Sequence, residues 1–171
     1  MTIDEAADLL VHCFRSGCKV FACGNGGSAS QAGHFVGELV GAFRDRARPP
    51  LPAIDLTASA PVLTAIMNDF GAEWVFARQI AALGDQGDCL VAISTSGNSP
   101  NVVKAAQVAG ETGMDVLALT VGGGGKLALE TEHILAAPYA TSTPDAQEWH
   151  LNVLHALAAM VESAMFGGVR K

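Results

Sequence analysis

The stretch Cys23-Gly24-Asn25-Gly26-Gly27-Ser28-Ala29-Ser30-Gln31-Ala32-Gly33-His34-Phe35-Val36-Gly37-Glu38 begins at the end of an apolar run, crosses a glycine-rich turn and enters a helical pattern. With Lys19 to Cys23 (KVFAC) in front of it, it reads as strand, turn and helix, the unit of a parallel α/β sheet. Glycines at such a turn let backbone N–H groups approach an anion, and the helix start behind them adds positive potential. No lysine follows the last glycine as in a Walker loop, and the spacing is not G-x-G-x-x-G. A dinucleotide is therefore not expected. Taken alone, such a stretch is more often a tight turn than a ligand site.

Working outward, apolar runs alternate with helical patterns along the whole chain. Ile3 to Arg15 places its apolar residues at helical spacing, and Ser16-Gly17 ends it. The helix after the opening turn is expected to reach about Phe43, where Arg44 to Pro50 cannot continue it. Strands are expected at Pro52 to Leu56, Cys89 to Ile93, Asp115 to Thr120 and His133 to Ala136. Helices are expected at Ala60 to Met67, Ala72 to Leu83, Asn101 to Thr112, Lys126 to Glu130 and Asp145 to Met165, with a turn at Asn68-Asp69. Short apolar strands separated by helices predict an α/β, doubly wound, five-stranded parallel sheet of flavodoxin-like order, in one domain.

The 171 residues suffice for a core without disulfides, and the four cysteines form no CxxC pair. A reduced, cytoplasmic protein is expected. Half of the residues are hydrophobic and only 16% charged, a balance that predicts burial of one subunit against another. The net charge of −7 argues against a nucleic-acid partner, and no apolar run is long enough for a membrane span.

A second polar loop, Ser94-Thr95-Ser96-Gly97-Asn98-Ser99, also joins a strand to a helix and offers four hydroxyls. By itself it reads as helix capping from Ser99 or Asn101. Two such loops on neighbouring strand ends favour a phosphorylated ligand. His34 and Glu38 are four apart and share a helix face, with Gln31 one turn earlier. Gly33, Gly37 and Gly41 form a stripe beside them, each costing roughly 1 kcal/mol in a helix and so implying close packing. On the last helix, Gln147 and His155 differ by about 80° around the axis and about 12 Å along it. From spacing alone, His150 competes with His155 for any role.

These motifs together, CGNGGSASQAGHFVGEL, Asn68-Asp69-Phe70-Gly71, AISTSGNSPNVVKA and QEWHLNVLHAL, make the chain resemble the sugar-isomerase (SIS) domain. Within that domain the chain is similar to the bacterial phosphoheptose isomerases, which act on sedoheptulose 7-phosphate. The resemblance implies substrate contacts from Asn25, Gly26, Gly27, Ser28, Glu38, Asn68, Asp69, Ser94, Thr95, Ser96, Ser99 and Gln147. It implies a zinc ion held by His34, Glu38, Gln147 and His155, with Glu38 as base and His155 as its acid/base partner, and so decides against His150. The implied reaction is aldose–ketose isomerisation to D-glycero-D-manno-heptose 7-phosphate through an enediol. The alternative is a non-catalytic SIS protein that binds the replication initiator or senses a phosphosugar, but such relatives lack the glutamate and the last histidine. A homotetramer is implied as well, although the family's additional N-terminal helix would precede Met1. Two departures concern charge. Ala42 stands where many relatives have a basic residue, with Arg44, Arg46 and Arg48 as possible substitutes, and Asp145-Ala146 stands in place of Arg-Ile.

Overall fold

Five apolar runs form five parallel strands, β1 (Val20–Gly24), β2 (Ala53–Asp55), β3 (Cys89–Ile93), β4 (Asp115–Val121) and β5 (Ile134–Ala137). They lie side by side in the order β2-β1-β3-β4-β5. The computed structural model describes residues 1–167 of the chain. Every residue of β1 and β3 is buried, as expected of strands covered on both faces.

Among the described residues there are six helices, α1 (Ile3–Arg15), α2 (Gly27–Val40), α3 (Ala60–Phe70), α4 (Ala77–Leu83), α5 (Pro100–Thr112) and α6 (Thr143–Phe166), and all but α3 bury residues over the sheet. On one face, Leu10 of α1, Phe35 and Leu39 of α2 and Leu154 and Leu157 of α6 pack over Val91 and Leu117. On the other, Ile80 of α4 and Val102 and Ala105 of α5 pack over Phe21 and Leu90. Burying each of these larger side chains contributes about 1.5–3 kcal/mol before entropy is counted. The chain leaves β1 toward β2, whereas β3 lies on β1's other side. The loops after β1 and β3 therefore meet at the sheet's switch point, where ligands of open α/β sheets bind.

Apart from the short helix expected at Lys126 to Glu130, which is a 3-10 turn over Gly125–Leu129, the helices differ from expectation in three places. First, α2 ends at Val40 and not near Phe43. The N–H groups of Phe43, Arg44 and Asp45 donate to the Glu162 carboxylate at 3.3, 3.0 and 3.1 Å, and so are diverted from helix carbonyls. Second, α3 runs through Asn68-Asp69 to Phe70, so the expected turn is instead the last helical turn, and Gly71 (φ 94°) makes the stop. Third, residues 72–83 divide into a 3-10 turn, Ala72–Trp74, and the shorter α4.

The glycine stripe has only a partial explanation within the chain. Gly33 lies beneath the Asp55 carboxylate, which a Cβ would approach to 2.8 Å. A Cβ on Gly37 would meet nothing within 4 Å. Helix α3 buries none of its residues, leaving Val62, Met67 and Phe70 between 40% and 49% exposed. All four cysteines are free thiols, and burial pushes the Cys13 thiol up to about 12, leaving it unreactive. Among the described residues no helix is long and apolar enough to cross a membrane.

Candidate active site

The two strand-end loops are built differently. After β1, Gly26 adopts φ 55°, a left-handed conformation open to glycine, and α2 begins at the next residue. Asn25 exchanges two amide hydrogen bonds with Asn101 at the start of α5, both 2.8 Å, and so ties the first loop to the helix after the second. Beside this clasp lies a cavity of about 580 Å³ lined by Asn25, Gly26, Ser30, Asp55, Thr57 and Asn101, with apolar walls. After β3, the buried Ser94 hydroxyl lies 3.0 Å from that of Ser99. Ser99 thus makes no side-chain cap on α5, and Asn101 instead accepts the Val102 N–H at 3.0 Å. Thr95 and Ser96 face a smaller cavity of about 290 Å³ against Thr141, Ser142 and Thr143 at the start of α6. Neither loop carries a cation, so any anion there would be held by N–H groups, hydroxyls and helix dipoles.

Helices α2 and α6 bring the second group of residues together. His34 Nε2 lies 2.9 Å from His155 Nε2. Glu38 Oε1 lies 3.1 Å from His34 Nε2 and 3.3 Å from His155 Nε2. Among the described residues this is the one cluster of three such side chains whose ligand atoms lie within 4.8 Å of one another. Both imidazoles are open to solvent at 47% and 41%, but Glu38 is only 13% exposed. Its second oxygen, Oε2, is buried without a hydrogen-bond partner. Two imidazole nitrogens and a carboxylate oxygen converging in this way suit a divalent metal of the zinc type, with room for further ligands.

Gln147 lies over the first loop. Its amide packs so tightly on Gly27 that a Cβ there would meet Cδ and Oε1 at 2.8 Å. The Gln147 carbonyl accepts a 2.6 Å hydrogen bond from Gln31 Nε2, which fixes the start of α6 against α2. His150 is fully buried, with Nε2 at 3.0 Å from the Thr120 carbonyl. Burial pushes its pKa down, only partly offset by that carbonyl, so it is a neutral core residue outside the cluster. Asn68 and Asp69 are exposed on the last turn of α3 and bond to each other at 2.7 Å. Their neighbours Met67 and Ala72 line the larger cavity, but neither residue itself does.

Of the three arginines weighed against Ala42, Arg48 is the buried one, its side chain 1% exposed and paired at 2.8 Å with Glu162 of α6. Arg44 lies over the Phe43 ring, 5.2 Å from its centroid. Phe43 in turn stacks on the His155 imidazole with centroids 5.9 Å apart. Sequence reasoning missed Phe43 and Glu162. The available signal was Glu162's place seven residues, about two turns, after His155, and therefore on the same face of α6. Burial works against the Glu162 charge, but Arg48 and the N–H groups of Arg44, Asp45 and Phe43 outweigh it and hold the carboxyl below its ordinary range.

Residues 1–121 match the SIS domain family model. The chain is 46% identical over 163 residues to a phosphoheptose isomerase of Rhodospirillum rubrum, covering 95% of this chain and 86% of that protein. The solved phosphoheptose isomerase of Neisseria gonorrhoeae superposes with a TM-score of 0.88 at 42% identity, covering 94% of this chain and 85% of that one. That of Francisella tularensis gives a TM-score of 0.90 at 39% identity, with the same coverage. With two strand-end loops, a helix-borne His/Glu/His cluster and these relatives over nearly its whole length, the chain belongs to the phosphoheptose isomerase family of SIS-domain enzymes.

Proposed function

We propose that the chain interconverts sedoheptulose 7-phosphate and D-glycero-D-manno-heptose 7-phosphate, with Glu38 as base and His155 as acid/base partner. One observation carries the assignment of roles: Glu38 turns Oε1 to both histidines and keeps Oε2 buried and unpartnered. A carboxylate that is both metal ligand and base has conflicting duties. Two oxygens in different surroundings divide them.

On this reading the phosphate lies against the hydroxyls and N–H groups of Ser94, Thr95, Ser96 and Ser99. Asn25, Gly26, Gly27, Ser28 and Gln147 orient the sugar chain. Glu38 removes the proton from C1 of the ketose, His155 protonates the C2 oxygen, and a neutral enediol results. His155 then takes the proton from the C1 hydroxyl while Glu38 returns its own to C2, leaving an aldehyde at C1 and both side chains in their starting states. His34, Glu38 and His155, joined by Gln147, would hold zinc, which when bound supplies polarisation of the carbonyl, and with Nε2 given to the metal the proton that His155 exchanges is the one on Nδ1. Asn68 and Asp69 join the site in this proposal through the larger cavity that their neighbours line.

The test is turnover of sedoheptulose 7-phosphate by purified protein and by Glu38→Gln, which keeps the shape of the side chain and removes the basic oxygen. Turnover is expected for the wild type and to be lost in a folded Glu38→Gln. Full activity in that variant would overturn the base assignment.

A further inference from the structure

Among the described residues, the ion pair between Arg48, in the segment after α2, and Glu162 of α6 is the one with both side chains less than a tenth exposed, and the chemistry above makes no use of it. Arg48 Nε donates to Glu162 Oε2 at 2.8 Å. Its Nη1 donates to the carbonyls of Leu39 at 3.0 Å and Pro49 at 2.8 Å, and its Nη2 donates to the carbonyl of Glu38. Because α2 stops at Val40, the Glu38 and Leu39 carbonyls have no further helical turn to accept from. The guanidinium takes that turn's place, and its charge lies at the negative end of the helix. The Leu39 carbonyl also accepts the Leu51 N–H at 3.1 Å, whereas the Glu38 carbonyl is held by the guanidinium, which so fixes the backbone of Glu38 in this last turn.

Glu162 acts on the other partner. Its carboxylate gathers the N–H groups of Phe43, Arg44 and Asp45, which pins the segment after α2. That segment lays the Phe43 ring on the His155 imidazole, the two planes 27° apart. A buried ion pair is a poor way to gain stability, because the desolvation of both charges offsets their attraction. It does fix direction well, since each of its hydrogen bonds has a defined geometry.

We propose that Arg48 and Glu162 are positioning residues for the isomerisation, Arg48 setting Glu38 through its carbonyl and Glu162 setting His155 through the Phe43 ring. The proposal rests on the roles given above to Glu38 and His155.

The experiment measures kcat and KM for sedoheptulose 7-phosphate in Arg48→Ala, Arg48→Lys and Glu162→Gln, with circular dichroism to establish folding. For folded Arg48→Ala, kcat is expected to fall on the order of 10- to 100-fold with KM changed less than about threefold, as for a displaced catalytic group. Guanidinium ion at millimolar concentration is expected to restore roughly tenfold of that loss by refilling the vacated site, and to do nothing for wild type or Glu38→Gln. A merely structural role would give no such rescue. Wild-type kcat in folded Arg48→Ala, or a loss that guanidinium leaves unchanged, overturns the proposal. Should Arg48→Ala not fold, Arg48→Lys decides, since it keeps the charge but cannot reach all four acceptors. Reduced kcat at near wild-type KM supports the proposal, and wild-type kcat overturns it. Should neither fold, the same criterion applies to Glu162→Gln. Glu38→Gln run in parallel keeps the readings apart. Turnover in it removes the base assignment, whereas an inactive Glu38→Gln beside fully active Arg48 and Glu162 variants removes only the positioning proposal.

Discussion

Replacing Gly27 by alanine adds a single methyl group between the first loop and Gln147. Gly27 opens α2 and does not need a positive φ, so alanine suits its backbone. Alanine is favoured over glycine in a helix by up to about 1 kcal/mol. The new Cβ would meet the Gln147 amide, with Nε2 closest of all and Cδ and Oε1 at 2.8 Å, where ordinary contact begins at 3.4 Å. To clear Nε2 the amide must retreat by roughly 1 Å, through rotamer adjustment costing about 0.5–1.5 kcal/mol. The two terms nearly cancel, and the folding stability of Gly27→Ala should lie within about 1 kcal/mol of wild type. Turnover should not be spared. If Gln147 orients the sugar, a shift approaching 1 Å is expected to cost on the order of 100-fold in kcat/KM. Thermal unfolding and the isomerase assay on the same preparation separate the two effects. Wild-type turnover would refute Gln147's part in the site, and a collapse of stability would refute the view that a flexible side chain, not backbone, absorbs the methyl.

Gly97→Ala should behave in the opposite way: φ of 64° and a Cβ directed at the Gly124 carbonyl oppose alanine on both counts. A loss of about 3 kcal/mol or more is expected in denaturant unfolding, and a loss below about 1 kcal/mol would refute the clash. For the metal, elemental analysis of active protein should find about one zinc ion per chain, lost together with activity on chelation and reduced in His34→Ala. Active protein without metal and indifferent to chelators would refute the ligand set.

How far the site was legible in the sequence depended on the distance over which each residue is held. His34 and Glu38 were legible because four residues on a helix fix a shared face. The sheet was legible because uniformly apolar strands between helices admit few arrangements. The end of α2 was not, because it is set by the Glu162 carboxylate more than a hundred residues away in the chain. The same distance hid the partner of Arg48, which in sequence was one of several arginines in a basic connection. His150 and His155 could not be ranked by spacing. The fold buries the first against Thr120 and places the second against Glu38. Asn68-Asp69 looked like a turn because both residues favour turns, yet Gly71 two positions later was the effective stop.

The contacts that close the site span most of the chain. Asn25 reaches 76 residues to Asn101, Gln31 reaches 116 to Gln147, and His34 reaches 121 to His155. Contacts at such separations form only after long loops have been closed at an entropic cost, so they come late in folding. A folding intermediate in which α6 has not docked can possess the glycine turn and the Glu38 helix, but it has neither Gln147 nor His155 in place. Heptose isomerisation during refolding would therefore begin only with the final docking of α6, after most of the helical signal had already returned.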